Sequence, residues 1–456
     1  MGLEVVVLAA GQGTRMRSAL PKVLQPLAGQ PLLGHVLDAA DALDAARVHV
    51  VFGHGGDAVP EAFGHRGGVR WVEQSEQLGT GHAVGQAMPG VPDDAVVLVL
   101  YGDVPLIQPA TLQQLVAPAR EGAVAVLTVD MIDPTGYGRI VRDQEGRVLR
   151  IVEEKDATPQ EQAIREVNTG LMAAPAARLR PWLSALDNEN AQGEFYLTDV
   201  VGLAVAEGVP VEPVPAAGTD EVLGINDRRQ LAEAERALHR RRCEQLLAEG
   251  VTLADPERVD VRGAVTCGQD VHIDVGVVFE GQVTLGDGVH IGPYCVIRDS
   301  VIGGGTRIHP FSFLDGAQAG SGCSIGPYAR LRPGTRLEDA SRVGNFVEIK
   351  NAEIGHGSKV NHLTYVGDAT VGRDVNIGAG TITCNYDGAN KHRTIIGDGA
   401  FIGSGVELVA PVEVGAGATV GAGSTISKPA PPGELTVERS RQVTVKGWTR
   451  PVKKPK

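Results

Sequence analysis

Val343 to Ile396 reads V-G-N-F-V-E-I-K-N-A-E-I-G-H-G-S-K-V-N-H-L-T-Y-V-G-D-A-T-V-G-R-D-V-N-I-G-A-G-T-I-T-C-N-Y-D-G-A-N-K-H-R-T-I-I. Aliphatic residues recur in it at six-residue steps: Val343 and Ile349, then Ile354, Val360 and Val366, then Val371 and Ile377. The rhythm halts at Cys384 for a polar loop and resumes at Ile396. A period of six fits neither a 3.6-residue helix nor an alternating strand. It fits a parallel β-helix in which each hexapeptide is one short strand and a turn. The aliphatic points into a stacked core, and Gly or another small residue tolerates the corner.

The same grammar extends outward. It runs through Val259, Val265, Val271, Val277 and Val283, then Ile325, Leu331 and Leu337, and later Ile402, Leu408, Val414, Val420 and Ile426. Gly often follows, as in Ile291-Gly292, Ile302-Gly303, Ile402-Gly403 and Val420-Gly421. Three hexads make a coil of about 18 residues. Stacking at that step is expected to bring Lys350, His362 and the loop at 384–394 within reach of one another.

Before Val251 the pattern is different. Apolar runs at Glu4–Ala9, Val48–Phe52, Val96–Leu100 and Ala123–Val129 alternate with helix-length segments such as Pro31–Ala42 and Pro109–Glu121. That predicts an α/β domain with a mainly parallel sheet, binding ligands beyond the carboxyl ends of its strands. Residues 228–248 lack Gly and Pro and place Leu231, Ala234, Leu238 and Leu246 on one face, with Gly250 as a stop. The expected organisation is therefore an α/β domain at 1–227, a linker helix at 228–250, a β-helix at 251–437 and a basic tail at 438–456.

A chain of 456 residues, 43% hydrophobic and 21% charged, fits a globular protein of two or three domains. No apolar run is long enough for a transmembrane helix, and no membrane partner is expected. The N-terminus shows no signal-peptide pattern. Five scattered cysteines form no C-x-x-C pair, so a cytoplasmic location is the economical reading. A net charge of −13 argues against nucleic acid as a partner. The tail is the exception, with seven Lys or Arg and no acid from Arg439 to Lys456, which suits an anionic ligand.

The first strand runs into L-A-A-G-Q-G-T-R-M, Leu8 to Met16, with Pro21-Lys22 behind it. Gly11-x-Gly13 lets backbone N–H groups approach a phosphate, and Arg15 and Lys22 add two cations. No G-K-[ST] follows and the third glycine of a dinucleotide fingerprint is missing. The strand Val96–Leu100 ends in Tyr101-Gly102-Asp103, where a carboxylate suits Mg²⁺ bridging phosphates. In the β-helix, His362 stands out among six histidines because Lys350, Asn361 and Tyr365 lie close by, and an imidazole is the side chain suited to act as a base near pKa 7.

These motifs resemble two families. L-A-A-G-x-G-T-R-M with P-K and a strand ending in G-D is similar to the nucleotidyltransferases that make nucleoside-diphosphate sugars. The hexads resemble the left-handed β-helix of the hexapeptide acyltransferases. Together, with R-L-R-P-G, N-F-V-E-I-K, S-K-V-N-H-L-T-Y, N-I-G-A-G-T-I and C-N-Y-D-G-A-N-K, the chain resembles the bifunctional N-acetylglucosamine-1-phosphate uridyltransferase / glucosamine-1-phosphate acetyltransferase family along essentially its whole length. The resemblance implies a Rossmann-like α/β nucleotidyltransferase domain followed by a left-handed parallel β-helix, and synthesis of UDP-N-acetylglucosamine for bacterial cell-wall precursors.

Carried over residue by residue, it implies that Leu8, Ala9, Ala10, Gly11, Arg15 and Lys22 hold the nucleotide phosphates. Gln74, Gly79 and Thr80 would recognise uracil. Tyr101, Gly102, Gly138, Glu153 and Asn168 would hold the sugar, and Asp103 and Asn226 would bind Mg²⁺. Gln12 stands where the family varies. His362 would be the general base, Arg332 and Lys350 the sugar-phosphate ligands, and Tyr365 and Asn376 the sugar contacts, with Glu348 orienting His362. Ala379, Asn385, Tyr386, Ser404, Ala422 and Arg439 would bind acetyl-CoA. The substrates implied are UTP, glucosamine-1-phosphate, N-acetylglucosamine-1-phosphate and acetyl-CoA, and the assembly a homotrimer with acetyl sites at subunit interfaces. Three rivals share part of the pattern: a mono-functional sugar nucleotidyltransferase whose β-helix only oligomerises, a non-enzymatic scaffold subunit, and a β-helical carbonic anhydrase with three zinc histidines.

Overall fold

The computed structural model describes residues 1–11, 13–53 and 57–453, so Gln12 and the last three residues of the tail lie outside it. The chain divides into two compact units, Met1–Leu238 and His239–Lys456.

The first unit is built on a nine-stranded sheet. Its main path runs Val211–Pro215, Val124–Asp130, Glu166–Pro175, Val96–Tyr101, Leu3–Leu8, Arg47–Phe52, Val69–Glu73. Neighbours are parallel except that Glu166–Pro175 runs antiparallel to both of its partners. Val96 to Leu100 are fully buried, because helices cover both faces and every side chain of a central strand then meets a core. Leu32–Asp41 and Pro109–Arg120 are helical as the sequence predicts. Five strands of the sheet escaped that reading, Gly138–Arg142, Val148–Val152 and Val211–Pro215 among them. Val69–Glu73 is only partly buried at the sheet's edge, and Glu166–Pro175 mixes polar and apolar residues without a period.

The helix Arg228–Ala248 forms where expected. Asp227 starts it, its Oδ1 accepting the N–H groups of Arg229 and Gln230 at 2.9 Å each. Ala234 and Leu238 join a core cluster of the first unit, while Cys243 and Leu246 join the core of the second. Gly250, at φ 93°, ends the element in the left-handed region that glycine tolerates.

The second unit is a parallel β-helix. An eleven-stranded sheet and a seventeen-stranded sheet wrap one continuous aliphatic core. Ile349, Ile354, Val360 and Val366 are all fully buried in it. The coil is not uniformly 18 residues. His272 pairs with His290, but then Arg307, Ser324, Arg342, Lys359 and Asn376 follow at steps of 17 or 18. The shortfall sits where Ile349 is followed by Ile354 and Val366 by Val371, a turn one residue shorter than its neighbours. From Asn376 the next partner is Phe401, so the loop adds its residues to a single coil without breaking the ladder.

The glycines that follow the aliphatics do a different job from the one expected. They are not the left-handed corner residues. A Cβ on Gly403 would lie 2.4 Å from Ala422 N, and one on Gly303 2.5 Å from Gly320 C, so they permit successive coils to stack. The left-handed corners hold other glycines, such as Gly357, Gly380 and Gly405, as the sequence predicts of glycine, and also Phe346, Asn351, Leu363 and Asp368.

Candidate functional site

In the first unit, Leu8 pairs with Tyr101, so two adjacent parallel strands deliver the glycine loop and Gly102-Asp103 to the same edge of the sheet. A cleft of about 330 Å³ opens there. It is lined by Leu8, Ala9, Ala10, Gly11, Lys22, Gln74, Gly79, Thr80, Tyr101 and Asp103, and also by Gln77 and Glu194. Gly13, at φ 60°, folds the loop over the lysine: a Cβ there would sit 2.5 Å from Lys22 Cβ. The Lys22 ammonium is ion-paired with Asp103 Oδ2 and lies 3.3 Å from Asn226 Oδ1. Asn226 arrives because Ile225 N–H donates to the Asp103 carbonyl at 2.9 Å. Three residues from distant parts of the chain thus meet around one point of positive charge.

Gln77 was missed in the sequence, yet its amide donates to the Ala10 carbonyl at 2.6 Å and ties the loop before Gly79 to the glycine loop. Nothing in its spacing distinguishes it from any surface Gln. Gly79, at φ 112°, lies against Phe195, where a Cβ would meet its carbonyl oxygen at 2.6 Å. Burial pushes the Tyr101 phenol above its usual range, helped by Glu153 and Asp103 and opposed by the Thr80 hydroxyl. The Tyr101 ring lies against Gly170, where a Cβ would sit 2.7 Å from it. Asn168 pairs with Gly138 across two strands, and its Oδ1 accepts the Gly170 N–H at 3.1 Å.

Glu153 sits beside a second cleft of about 340 Å³ with Asp156, Asp187 and Asp199. Burial raises its carboxyl above the usual range, with Asp199 and Asp156 adding to the effect and the Thr198 hydroxyl, at 3.0 Å, opposing it. Arg15 is exposed in the turn Thr14–Met16 and does not line the first cleft. Its charge reaches Asp227, whose carboxyl is lowered mainly by the Gln230 backbone N–H.

In the second unit the register sorts the predicted residues into two columns. Backbone N–H groups of Leu363, Gly380, Gly405 and Gly423 donate to the carbonyls of Asn345, His362, Ala379 and Ser404 respectively. Asn345, His362, Ala379 and Ser404 therefore follow one another down a single corner, with Ala422 next. Gly421 extends the row, since a Cβ there would meet Arg439 Nη2 at 2.9 Å and so the tail lies against it. His362 is exposed, and its Nδ1 lies 3.0 Å from Asn345 Oδ1. An amide oxygen only accepts, so Nδ1 carries the proton and Nε2 keeps an outward lone pair.

The second column holds the charges. Lys350 pairs with Gly367 across the sheet, and its ammonium lies close to that of Lys391 in the inserted loop. That like-charged neighbour, then burial, lowers the Lys350 pKa, and Arg332 adds to it. Burial would raise the Asp368 carboxyl, but hydrogen bonds from Asn351 and Asn385 and the charges of Lys350 and Lys391 bring it below its usual range. Two ammonium groups and a guanidinium gathered beside one carboxylate form a seat for an anion. Lys391 and Asn345 were both quoted in the sequence without being singled out, because only the register assigns them neighbours.

Two expectations are corrected. Lys350, His362 and the loop do not share one stack. Lys350 and the loop meet at one edge of a face, His362 stands at the other, and Tyr365 spans the strand between them, its hydroxyl 3.4 Å from Asn385 Nδ2. The separation of Lys350 from His362 in sequence is not a whole coil, so the pairing places Gly367 beside Lys350 and Asn345 beside His362, at opposite ends of the same face. Nor does Glu348 reach His362: it accepts from Arg332 at 2.8 Å and lies 3.8 Å from Arg330, and Asn345 holds the imidazole instead.

Asn376 sits in a strand between Lys359 and Phe401. Tyr386 is exposed in the loop, which is braced by a Tyr386–Lys391 bridge and by Asp387 accepting from Asn390 N at 2.6 Å and His392 Nε2 at 2.7 Å. Among the described residues, no three His, Cys, Asp or Glu side chains gather as a metal cage, and no helix is long and apolar enough to cross a membrane.

A MobA-like NTP transferase domain model matches residues 5–191, and the bacterial transferase hexapeptide (six repeats) model matches 264–299 and 393–428. Curated relatives match over nearly the full chain. A bifunctional protein GlmU of Azoarcus sp. (strain BH72) is 60% identical over 451 residues, covering 99% of this chain and 100% of that one. That of Alkalilimnicola ehrlichii is 60% identical over 453 residues, 99% and 97% covered, and that of Bordetella parapertussis 59% over 456, 99% and 100% covered.

Proposed function

Because the chain belongs to the GlmU family of bifunctional proteins, we propose that each unit carries one of two consecutive transfers. The enzyme makes UDP-N-acetylglucosamine. Its left-handed β-helix moves an acetyl group from acetyl-CoA to glucosamine-1-phosphate, and its nucleotidyltransferase domain then moves a uridylyl group from UTP to the N-acetylated product, releasing pyrophosphate.

The observation that carries the acetyl step is the division of one β-helix face. At one edge, Arg332, Lys350 and Lys391 suit the sugar phosphate. At the other, His362 heads the row Ala379, Ser404, Ala422 that suits acetyl-CoA. The amine nitrogen attacks the thioester carbonyl, a C–N bond forms, the C–S bond breaks, and His362 Nε2 takes the proton the amine loses. Asn345 fixes the tautomer that makes this possible.

In the first unit, the sugar phosphate attacks the α-phosphorus in line, and positioning and charge neutralisation supply the catalysis. The donor set fits Mg²⁺: a carboxylate oxygen of Asp103 and an amide oxygen of Asn226 converge, and the Lys22 ammonium stands between them as a surrogate cation. When bound, the ion would neutralise charge on the phosphates. Lys22, freed from Asp103, is then available to those phosphates, with the glycine loop offering its N–H groups beside it.

The homotrimer belongs to the same reading. Tyr294, Phe311, Tyr328 and Phe346 stack as an outward ladder with ring centroids 5.0–5.3 Å apart. They are 46–57% exposed, and Leu363, 63% exposed, continues the row beside His362. An apolar seam of this kind asks to be covered, and a neighbouring copy that covered it would lie against the base. A cytoplasmic setting suits an enzyme of nucleotide and acetyl-CoA substrates whose five cysteines are all free. Supplying glucosamine-1-phosphate, acetyl-CoA, UTP and Mg²⁺ and identifying products by mass tests the whole scheme; nucleotide sugar without consumption of acetyl-CoA would reduce the β-helix to an oligomerising scaffold.

A further inference from the structure

We infer that His82 sets the nucleobase choice of the first unit by fixing which end of the Gln74 amide faces the cleft. The inference rests on the reading above that Gln74 meets the base.

Gln74 is 3% exposed and anchored at the end of the edge strand, where its backbone N–H donates to the Phe52 carbonyl at 2.7 Å. Its side-chain nitrogen has two internal partners, the Gly79 carbonyl at 3.3 Å and His82 Nδ1 at 3.0 Å. An amide nitrogen has two hydrogens to give, and both are committed inside the protein. Among the described residues the carbonyl end of the same amide accepts no hydrogen bond, and Gln74 belongs to the wall of the cleft. The cleft therefore meets an acceptor here.

That polarity depends on the histidine. For Nδ1 to accept, the proton must sit on Nε2, and Nε2 lies 3.0 Å from the Gln86 side-chain amide, four residues on along the helix Thr80–Ala87. Gln86 meets that atom with its amide nitrogen, and a neutral imidazole accepts at one nitrogen only; because the Gly79 carbonyl holds Gln74 by its nitrogen, it is the exposed Gln86 amide that must turn its oxygen toward Nε2–H. Were the Gln74 amide to turn over, its oxygen would face the Gly79 carbonyl and the lone pair on Nδ1, two acceptors against an acceptor. His82 is half-buried and is not part of the cleft wall. It is a positioning residue, acting through Gln74.

The consequence is chemical discrimination. N3 of uracil carries a hydrogen and pairs with an acceptor; N3 of cytosine carries a lone pair and is left unpaired against one. A site built around a committed buried polar group rejects the mismatched ligand far more strongly than an apolar pocket does. Without His82, the longer Gly79 contact alone holds the amide, which is then free to present either end.

The test compares kcat/KM for UTP and CTP in the full-length protein with Mg²⁺. His82→Leu is expected to lower the UTP-to-CTP ratio by at least about tenfold, as expected for one lost hydrogen-bond preference, with the change for UTP in KM rather than kcat. His82→Asn, which keeps an acceptor, is expected to recover part of the ratio. His82→Phe, which keeps the ring's bulk, is expected to behave like His82→Leu and serves if the leucine variant folds poorly; the thermal midpoint monitors folding. A purely structural histidine would depress both nucleotides alike, and an unchanged ratio in folded His82→Leu or His82→Phe overturns the inference. Gln74→Leu separates the two claims. If Gln74→Leu loses selection while the His82 variants keep it, the histidine's role fails alone. If Gln74→Leu keeps full selection, the assignment of Gln74 to the base fails with it.

Discussion

The cleft of the first unit and the face of the second both gather cations of the kind a phosphate would need, but they assemble them in opposite ways. Lys22, Asp103 and Asn226 come from three loops spread over most of the α/β fold and meet only because the sheet aligns the carboxyl ends of its strands. Arg332, Lys350 and the neighbours of His362 come from consecutive coils, where a step of 17 or 18 residues in sequence is one rung in space. In a solenoid, chain distance converts directly into position, and the only departure is the inserted loop that carries Lys391. In the α/β unit it does not convert, and only the tertiary fold decides who meets whom.

Separate construction means the two reactions can be broken one at a time, and that gives the largest effect. Asp103→Ala should abolish uridylyl transfer and leave acetyl transfer intact, while His362→Ala should do the reverse, the loss of a general base alone removing about 10²–10⁴ of the rate. Assaying both half-reactions on each variant checks this; a variant that loses both while melting like the parent would contradict independent sites.

The apolar ladder comes next. Phe346→Asp places a charge in the middle of the exposed stack. Sedimentation should show smaller species, with acetyl transfer falling and uridylyl transfer holding. Full acetyl transfer by a monomer would remove the subunit interface from the site.

A smaller effect is expected at the cation cluster. Lys391→Ala removes one of three positive groups around the proposed phosphate seat. The KM for glucosamine-1-phosphate should rise by roughly tenfold, a charge-assisted contact's worth, with less salt dependence than the parent. An unchanged KM would detach the loop from substrate binding.

The smallest effect concerns pH in the first unit. Burial first, and Asp199 and Asp156 after it, raise the Glu153 carboxyl in the folded state. The folded chain then holds this proton more tightly than the unfolded chain, so stability falls as pH rises from the unfolded carboxyl value through the raised folded one. Glu153→Gln should raise the melting midpoint of the first unit at neutral pH and leave it little changed at acid pH below both values. A variant that gained equally at both pH values would owe its gain to something other than this ionisation.

Much of the β-helix was legible because its core is a period. Val343, Ile349, Ile354, Val360 and Val366, picked out by spacing, are all buried. The steps of five from Ile349 to Ile354 and from Val366 to Val371 were visible too, but their effect on the coil length appears only in the strand pairing. The pairing sets His362 against Asn345, Glu348 against Tyr365 and Lys350 against Gly367, so the histidine and the lysine stand in different columns and Asn345, not Glu348, holds the imidazole. In the first unit, the strands with dense β-branched runs were legible, whereas the antiparallel Glu166–Pro175 was not, since polar Asn168 and Thr169 interrupt it.

The sequence by itself determined the two architectures and the kinds of chemistry each could support. Hydrophobic periodicity and glycine-loop motifs are local, so a linear chain displays them. It also held every residue of both sites. Tertiary structure alone decided their partnerships: that the Lys22 ammonium rests between Asp103 and Asn226, that Lys391 joins Lys350, and that His82 holds Gln74 by its nitrogen. A hydrogen bond or ion pair depends on ångström distances and on which atom faces which, and such geometry is set when the chain packs, not by residue spacing.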